Sequence, residues 1–68
     1  MESVAEKLVR LRGDKSREEV AKEIGVSVSA ISMYENGERI PRDDIKVRLA
    51  MLFNVSVQEI FFAPESHE

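Results

Sequence analysis

Apolar residues recur along this chain at helical intervals, and nowhere in the strict alternation of a half-buried strand. Val4, Leu8 and Leu11 stand at i, i+4 and i+7, which predicts a first helix running to about Arg12, where Gly13-Asp14 stops it. Val20, Ala21 and Ile24 give the inner stripe of a second helix, Arg17 to about Ile24. Ile31 and Tyr34 give that of a third, Val28 to about Glu35. Ile45, Leu49 and Leu52, with Ala50 and Phe53 beside them, mark a fourth helix, and Val57, Ile60 and Phe61 a short fifth.

The polar residues between these stripes are punctuation. Ser16 and Glu19 have the S-x-x-E spacing of a capping box, as do Ser56 and Glu59. Gly25 suits the positive φ of a tight helix-to-helix turn, and Ser27 suits the N-cap of the helix that follows. Asn36-Gly37 is a natural C-terminal stop. Pro41 and the pair Asp43-Asp44 suit the start of the fourth helix, where carboxylates meet the positive end of the dipole, and Asn54 breaks that helix. Residues 64–68, Pro-Glu-Ser-His-Glu, have nothing to bury. The pattern predicts an all-α fold of five short helices, one domain over residues 1–62 and a frayed tail over 63–68.

Composition adds limits. Sixty-eight residues without cysteine must be held by a helical core or by oligomerisation, since no disulfide or thiolate metal site is possible. No apolar run approaches the roughly 20 residues of a membrane span, and the early Glu2 and Glu6 are unlike a signal peptide. A cytoplasmic protein without membrane contact is the expectation. The net charge of −3 opposes indiscriminate binding to nucleic acid, but its distribution matters more. Residues 56–68 carry Glu59, Glu65 and Glu68 and no basic residue. Lys7 to Arg17 carries five basic residues against the single Asp14, a locally basic edge.

A helix–tight turn–helix unit over Arg17–Asn36 can place one exposed helix in a DNA groove. The polar opening Ser16-Arg17, the small Ala21, the turn Gly25-Val26-Ser27 and the inward Ile31 come in order. Tyr34-Glu35-Asn36-Gly37, Pro41 and the ending Phe53 to Phe61 follow them. Together they resemble the Cro/cI-type (XRE-like) helix-turn-helix family of phage and bacterial transcriptional regulators. The resemblance implies a compact five-helix, lambda-repressor-like DNA-binding domain and a sequence-specific regulator of double-stranded DNA. A repressor acting as a homodimer on a two-fold operator is expected. It further implies that Asn36 bonds a DNA phosphate, that Gly37 allows close approach, and that Arg10 and Glu35 form a semi-buried structural ion pair. At Arg17 the family most often has Gln, and at Glu38 commonly a basic residue, which leaves Arg39 and Arg42 to supply positive charge after the helix.

With the third helix in the major groove, Val28, Ser29, Ser32 and Met33 face the bases, and Arg17 offers the strongest directional contact. None of the four makes the bidentate pairing of Arg with guanine. Recognition should therefore lean on methyl contacts, serine or water-mediated bonds and DNA shape. Phosphate contacts are expected from Ser16, Arg17, Ser27, Asn36 and Arg39, with Lys15 and Arg42 at the rim. The aromatic C-terminus, Phe61 and Phe62 with Pro64, is the expected dimer contact. No enzyme is indicated: the single histidine, His67, lies in the tail, and there is no cysteine nucleophile or phosphate-cradling glycine loop. No metal, cofactor or small-molecule ligand is expected. The rival reading is a protein-binding module, an antitoxin or anti-repressor on the same fold. A chain this short also leaves no room for a sensory domain, so control by concentration, turnover or a partner is expected.

Overall fold

A computed structural model describes residues 2–62. Its helices are α1 (Val4–Arg12), α2 (Arg17–Ile24), α3 (Val28–Glu35), α4 (Asp43–Phe53) and α5 (Val57–Phe61), with no strand among the described residues. All five lie where the apolar spacing places them. Residues 63–68, with Pro64 and His67, lie outside the described residues.

Local chemistry sets each boundary. Ser16 Oγ accepts from the Glu19 amide at 3.0 Å while Glu19 Oε1 accepts from the Ser16 amide at 2.9 Å, the complete reciprocal cap. A second complete box, Ser3 with Glu6, opens α1 and is absent from the sequence expectation above. At α5 only half of the expected box forms: Ser56 Oγ accepts from the Glu59 amide at 3.1 Å. α2 and α4 each end on a residue in the left-handed conformation. Gly25 has φ 81, and the Gly25 and Val26 amides both donate to the Ala21 carbonyl. Asn54 takes the same conformation after α4, with φ 59, and the Val55 amide reaches back to Ala50.

The helices close around one core of Leu8, Val20, Ala21, Ile24, Ala30, Ile31, Tyr34, Ile45, Leu49, Ala50 and Ile60. α3 packs across α1 and α2, α4 packs on α2 and α5, and α1 closes on α5. Two side chains reach backbone carbonyls of other helices. Lys7 Nζ donates to the Glu59 carbonyl at 3.1 Å, joining α1 to α5. Arg48 Nη1 donates to the Ile24 carbonyl at 3.0 Å, so α4 satisfies an orphan acceptor at the end of α2. The result is a packed seat for α3, with one side on the core and the other open to solvent.

Candidate nucleic-acid interface

The outer side of α3 follows from its register. At about 100° per residue, Val28, Ser32, Ser29 and Met33 fall within an arc of roughly 140°. Ala30, Ile31 and Tyr34 occupy the inner side and are buried. Val28 and Ser29 are exposed, and Ser32 and Met33 are half-buried. Val28 and Ser32 form one wall of an open groove whose other wall is Arg12, Ser16, Arg17 and Glu18. The start of α2 and the outer side of α3 thus share one concave surface.

The donors that sequence reasoning assigns to phosphate lie at helix ends. Ser16 and Ser27 are exposed N-caps of α2 and α3; each hydroxyl oxygen accepts a helix amide, and its proton remains free to donate outward. Asn36 is the exposed C-cap of α3. Arg39 is exposed beyond it and lines a second concavity, with Arg42 and Arg48, at the turn between α2 and α3. Ser27 and Asn36 thus stand at opposite ends of α3, while Arg39 shares its concavity with the α2–α3 turn.

The structure corrects the expected ion pair. Arg10 does not meet Glu35. Its Nε lies 2.6 Å from Glu2 Oε2 and its Nη2 2.9 Å from Glu2 Oε1, on the exposed side of α1. The partners of Glu35 are Arg12 and Arg17. Arg12 Nε lies 2.7 Å from Glu35 Oε2 and Nη2 3.2 Å from Oε1, while Arg17 Nε lies 2.9 Å from Oε1. Helical register explains the exchange. Arg12 stands four residues after Leu8, on the inner stripe of α1, whereas Arg10 lies about 160° away from Leu8. Arg17, seven residues before Ile24, shares the inner stripe of α2 and also turns toward Glu35. The register of Val4, Leu8 and Leu11 carried this signal, and the family resemblance pointed past it.

The electrostatic consequence is local. Glu35 is the one buried charged residue of the described core, 8% exposed, and it faces two guanidinium groups. Two guanidinium groups against one carboxylate leave the three-residue cluster with one excess positive charge, which Glu18 on the same groove wall offsets. Glu2 is the other carboxylate with a marked environment: the hydrogen bond from Arg10, reinforced by that guanidinium's charge, holds its carboxyl below the usual glutamate range. Sequence reasoning missed Arg12 and Glu18 as groove residues and Arg48 as a helix cap.

Phe61 is half-buried and Phe62 is 58% exposed, as its position after two core residues predicts. Lys46 Nζ lies 5.5 Å from the Phe61 ring centre and 5.0 Å from that of Phe62, so its ammonium is shared by both rings. Among the described residues no group of His, Cys, Asp and Glu side chains is placed to hold a metal, and no helix is long and apolar enough to cross a membrane.

Two short helices joined by a glycine turn, the second seated on the core and open outward between flanking donors, define a DNA-binding helix-turn-helix domain. A family model described as helix-turn-helix matches residues 7–60, and the chain belongs to this Cro/cI-type (XRE-like) helix-turn-helix family, a family of DNA-binding regulatory domains and not of catalysts. No curated protein and no solved structure matches the chain.

Proposed function

We propose that this protein represses transcription by covering a two-fold operator as a homodimer in the cytoplasm, with α3 of each copy in the major groove. The observation that carries the reading is the shared surface. Arg17, Val28 and Ser32 line one groove, Ser29 and Met33 continue it along α3, and donors flank both ends of that helix. Base contacts are assigned to Arg17, Val28, Ser29, Ser32 and Met33. Phosphate contacts are assigned to Ser16, Arg17, Ser27, Asn36 and Arg39. The former fix sequence and the latter fix register.

A single copy offers few base-reading groups, and two copies on half-sites about 34 Å apart double them. The exposed Phe62 beside the half-buried Phe61 supports a dimer contact at α5. Binding of this kind is largely electrostatic at the rim, so it falls as salt rises. Selection of duplexes from a random pool tests the reading, and should return a two-fold consensus. A pool with no enrichment refutes it. On the selected duplex, Arg39→Ala should weaken binding about equally for all sequences and reduce the salt slope by about 1. An unchanged slope removes Arg39 from the phosphate set.

A further inference from the structure

The three nitrogens of Arg12 are all committed: Nε and Nη2 to Glu35, and Nη1 to the Lys15 carbonyl at 2.9 Å. Arg17 differs. It gives only Nε to Glu35, and its Nη1 and Nη2 meet no acceptor among the described residues. Its side chain is 45% exposed, on the wall of the groove that Val28 and Ser32 share. Glu35 is in turn held by the locked Arg12, and its side chain is only 3% exposed, so the anchor of Arg17 is itself fixed. A long surface arginine ordinarily has free rotamers to lose on binding. Here one end of the guanidinium is already bound, and the end that remains is the Nη1/Nη2 edge, two parallel N–H donors.

From this geometry we infer that Arg17 is a preset guanine-reading residue, and that Glu35 is a positioning residue acting through it. The inference rests on the groove being the DNA-binding face. The chemistry selects the base. In the major groove guanine presents two adjacent acceptors, N7 and O6, which match two parallel donors. Adenine sets a donor beside its N7, and cytosine presents a donor where an acceptor is needed. Because the Nε side is consumed by Glu35, Arg17 approaches end-on. The free Nη1 and Nη2 donors of Arg17 are then delivered at a defined place on the base edge. The weak readers of α3 are thereby supplemented by one strong reader from α2 in each half-site.

The test uses the full chain and the duplex it selects, with affinities measured by fluorescence anisotropy at one salt concentration. Each base pair is varied singly, for the natural protein, Arg17→Lys, Glu35→Gln and the double variant. The expected result is one G·C pair per half-site whose replacement weakens binding by roughly 5- to 150-fold in the natural protein, the range of a bidentate arginine–guanine pair. Arg17→Lys should flatten that preference while preferences elsewhere in the site persist. Glu35→Gln should diminish the same preference, and should change it no further once Lys occupies position 17. If Glu35→Gln is unfolded by circular dichroism, Glu35→Asp, which keeps the charge and retracts it by one methylene, takes its place with the same expectation. Unaltered base preferences in Arg17→Lys overturn the assignment of Arg17. An equal loss on every duplex overturns it too and makes Arg17 a phosphate clamp. A full Arg17-dependent preference persisting in the Glu35 variant overturns the positioning role. Failure of the natural protein to bind any duplex refutes the DNA-binding reading itself, and the inference with it.

Discussion

Replacing Arg12 by alanine removes the guanidinium that holds both oxygens of Glu35, at 2.7 and 3.2 Å, in a site where the carboxylate is 3% exposed and Arg12 itself 18%. Stranding one member of a buried pair costs about 3–5 kcal/mol. Arg17 stays bonded to Oε1 at 2.9 Å, which places the expected loss at the lower end, about 3 kcal/mol. A domain of this length has a total stability of roughly 3–10 kcal/mol, so the variant should be marginal. Its melting midpoint should fall by about 12–24 °C, at about 4–8 °C per kcal/mol for a domain of this size. Arg10→Ala is the matched control. It removes the same charge from the same helix but breaks only the exposed contact with Glu2, and its midpoint should fall far less than that of Arg12→Ala. Urea and thermal denaturation followed by circular dichroism measure both. If Arg10→Ala is as damaging as Arg12→Ala, or if Arg12→Ala costs less than about 1 kcal/mol, the account of the buried cluster is wrong.

Phe62→Glu places a charge on the exposed ring position and should shift sedimentation toward the monomer; a mass distribution identical to that of the natural protein would refute a dimer contact at α5. Gly25→Ala imposes a side chain on φ 81, with the new Cβ 3.4 Å from Arg48 Nη1, and should cost about 1–2 kcal/mol, read from the urea midpoint. The lowered pKa of the Glu2 carboxyl gives a contribution to stability that is present above the ordinary glutamate value and lost as pH falls through the lowered folded value. A side-chain NMR titration should therefore show Glu2 titrating below the ordinary glutamate value, and moving up toward that value in Arg10→Ala. Equal midpoints in the two proteins would exclude the Arg10 hydrogen bond as the cause.

Register was the most legible feature. Every helix and every predicted inner stripe appears where apolar spacing sets it, because i, i+3 and i+4 positions leave few alternatives in a chain of short helices. Caps were nearly as legible, since Ser16, Ser27 and Ser56 each cap as their spacing requires. The contents of the site were less so. The partner of Glu35 depends on which face of α1 each arginine occupies and on how α1 crosses α3, a long-range matter that no local spacing contains. Arg12 was recoverable from its place after Leu8. The anchoring of Arg17 required both α1 and α3 to be in position. Arg48, reaching from α4 to the Ile24 carbonyl, left no local signal at all.

The same difference separates the fold from its use. The seat of α3 is determined by the core, whereas its outer side is a short row of Val28, Ser29, Ser32 and Met33 whose selectivity depends on what flanks it. Arg17 gains weight because the structure fixes it, and Arg10 loses weight because it is engaged elsewhere on the surface. In the proposed function the α2–α3 groove is the surface that meets DNA. Backbone amide shifts recorded while the selected duplex is added to labelled protein test it most directly. The changes should concentrate at residues 16–17, 27–33, 36 and 39 and spare the exposed α4 positions Val47 and Met51. Changes centred on α4 and α5, with residues 27–33 unmoved, would contradict it.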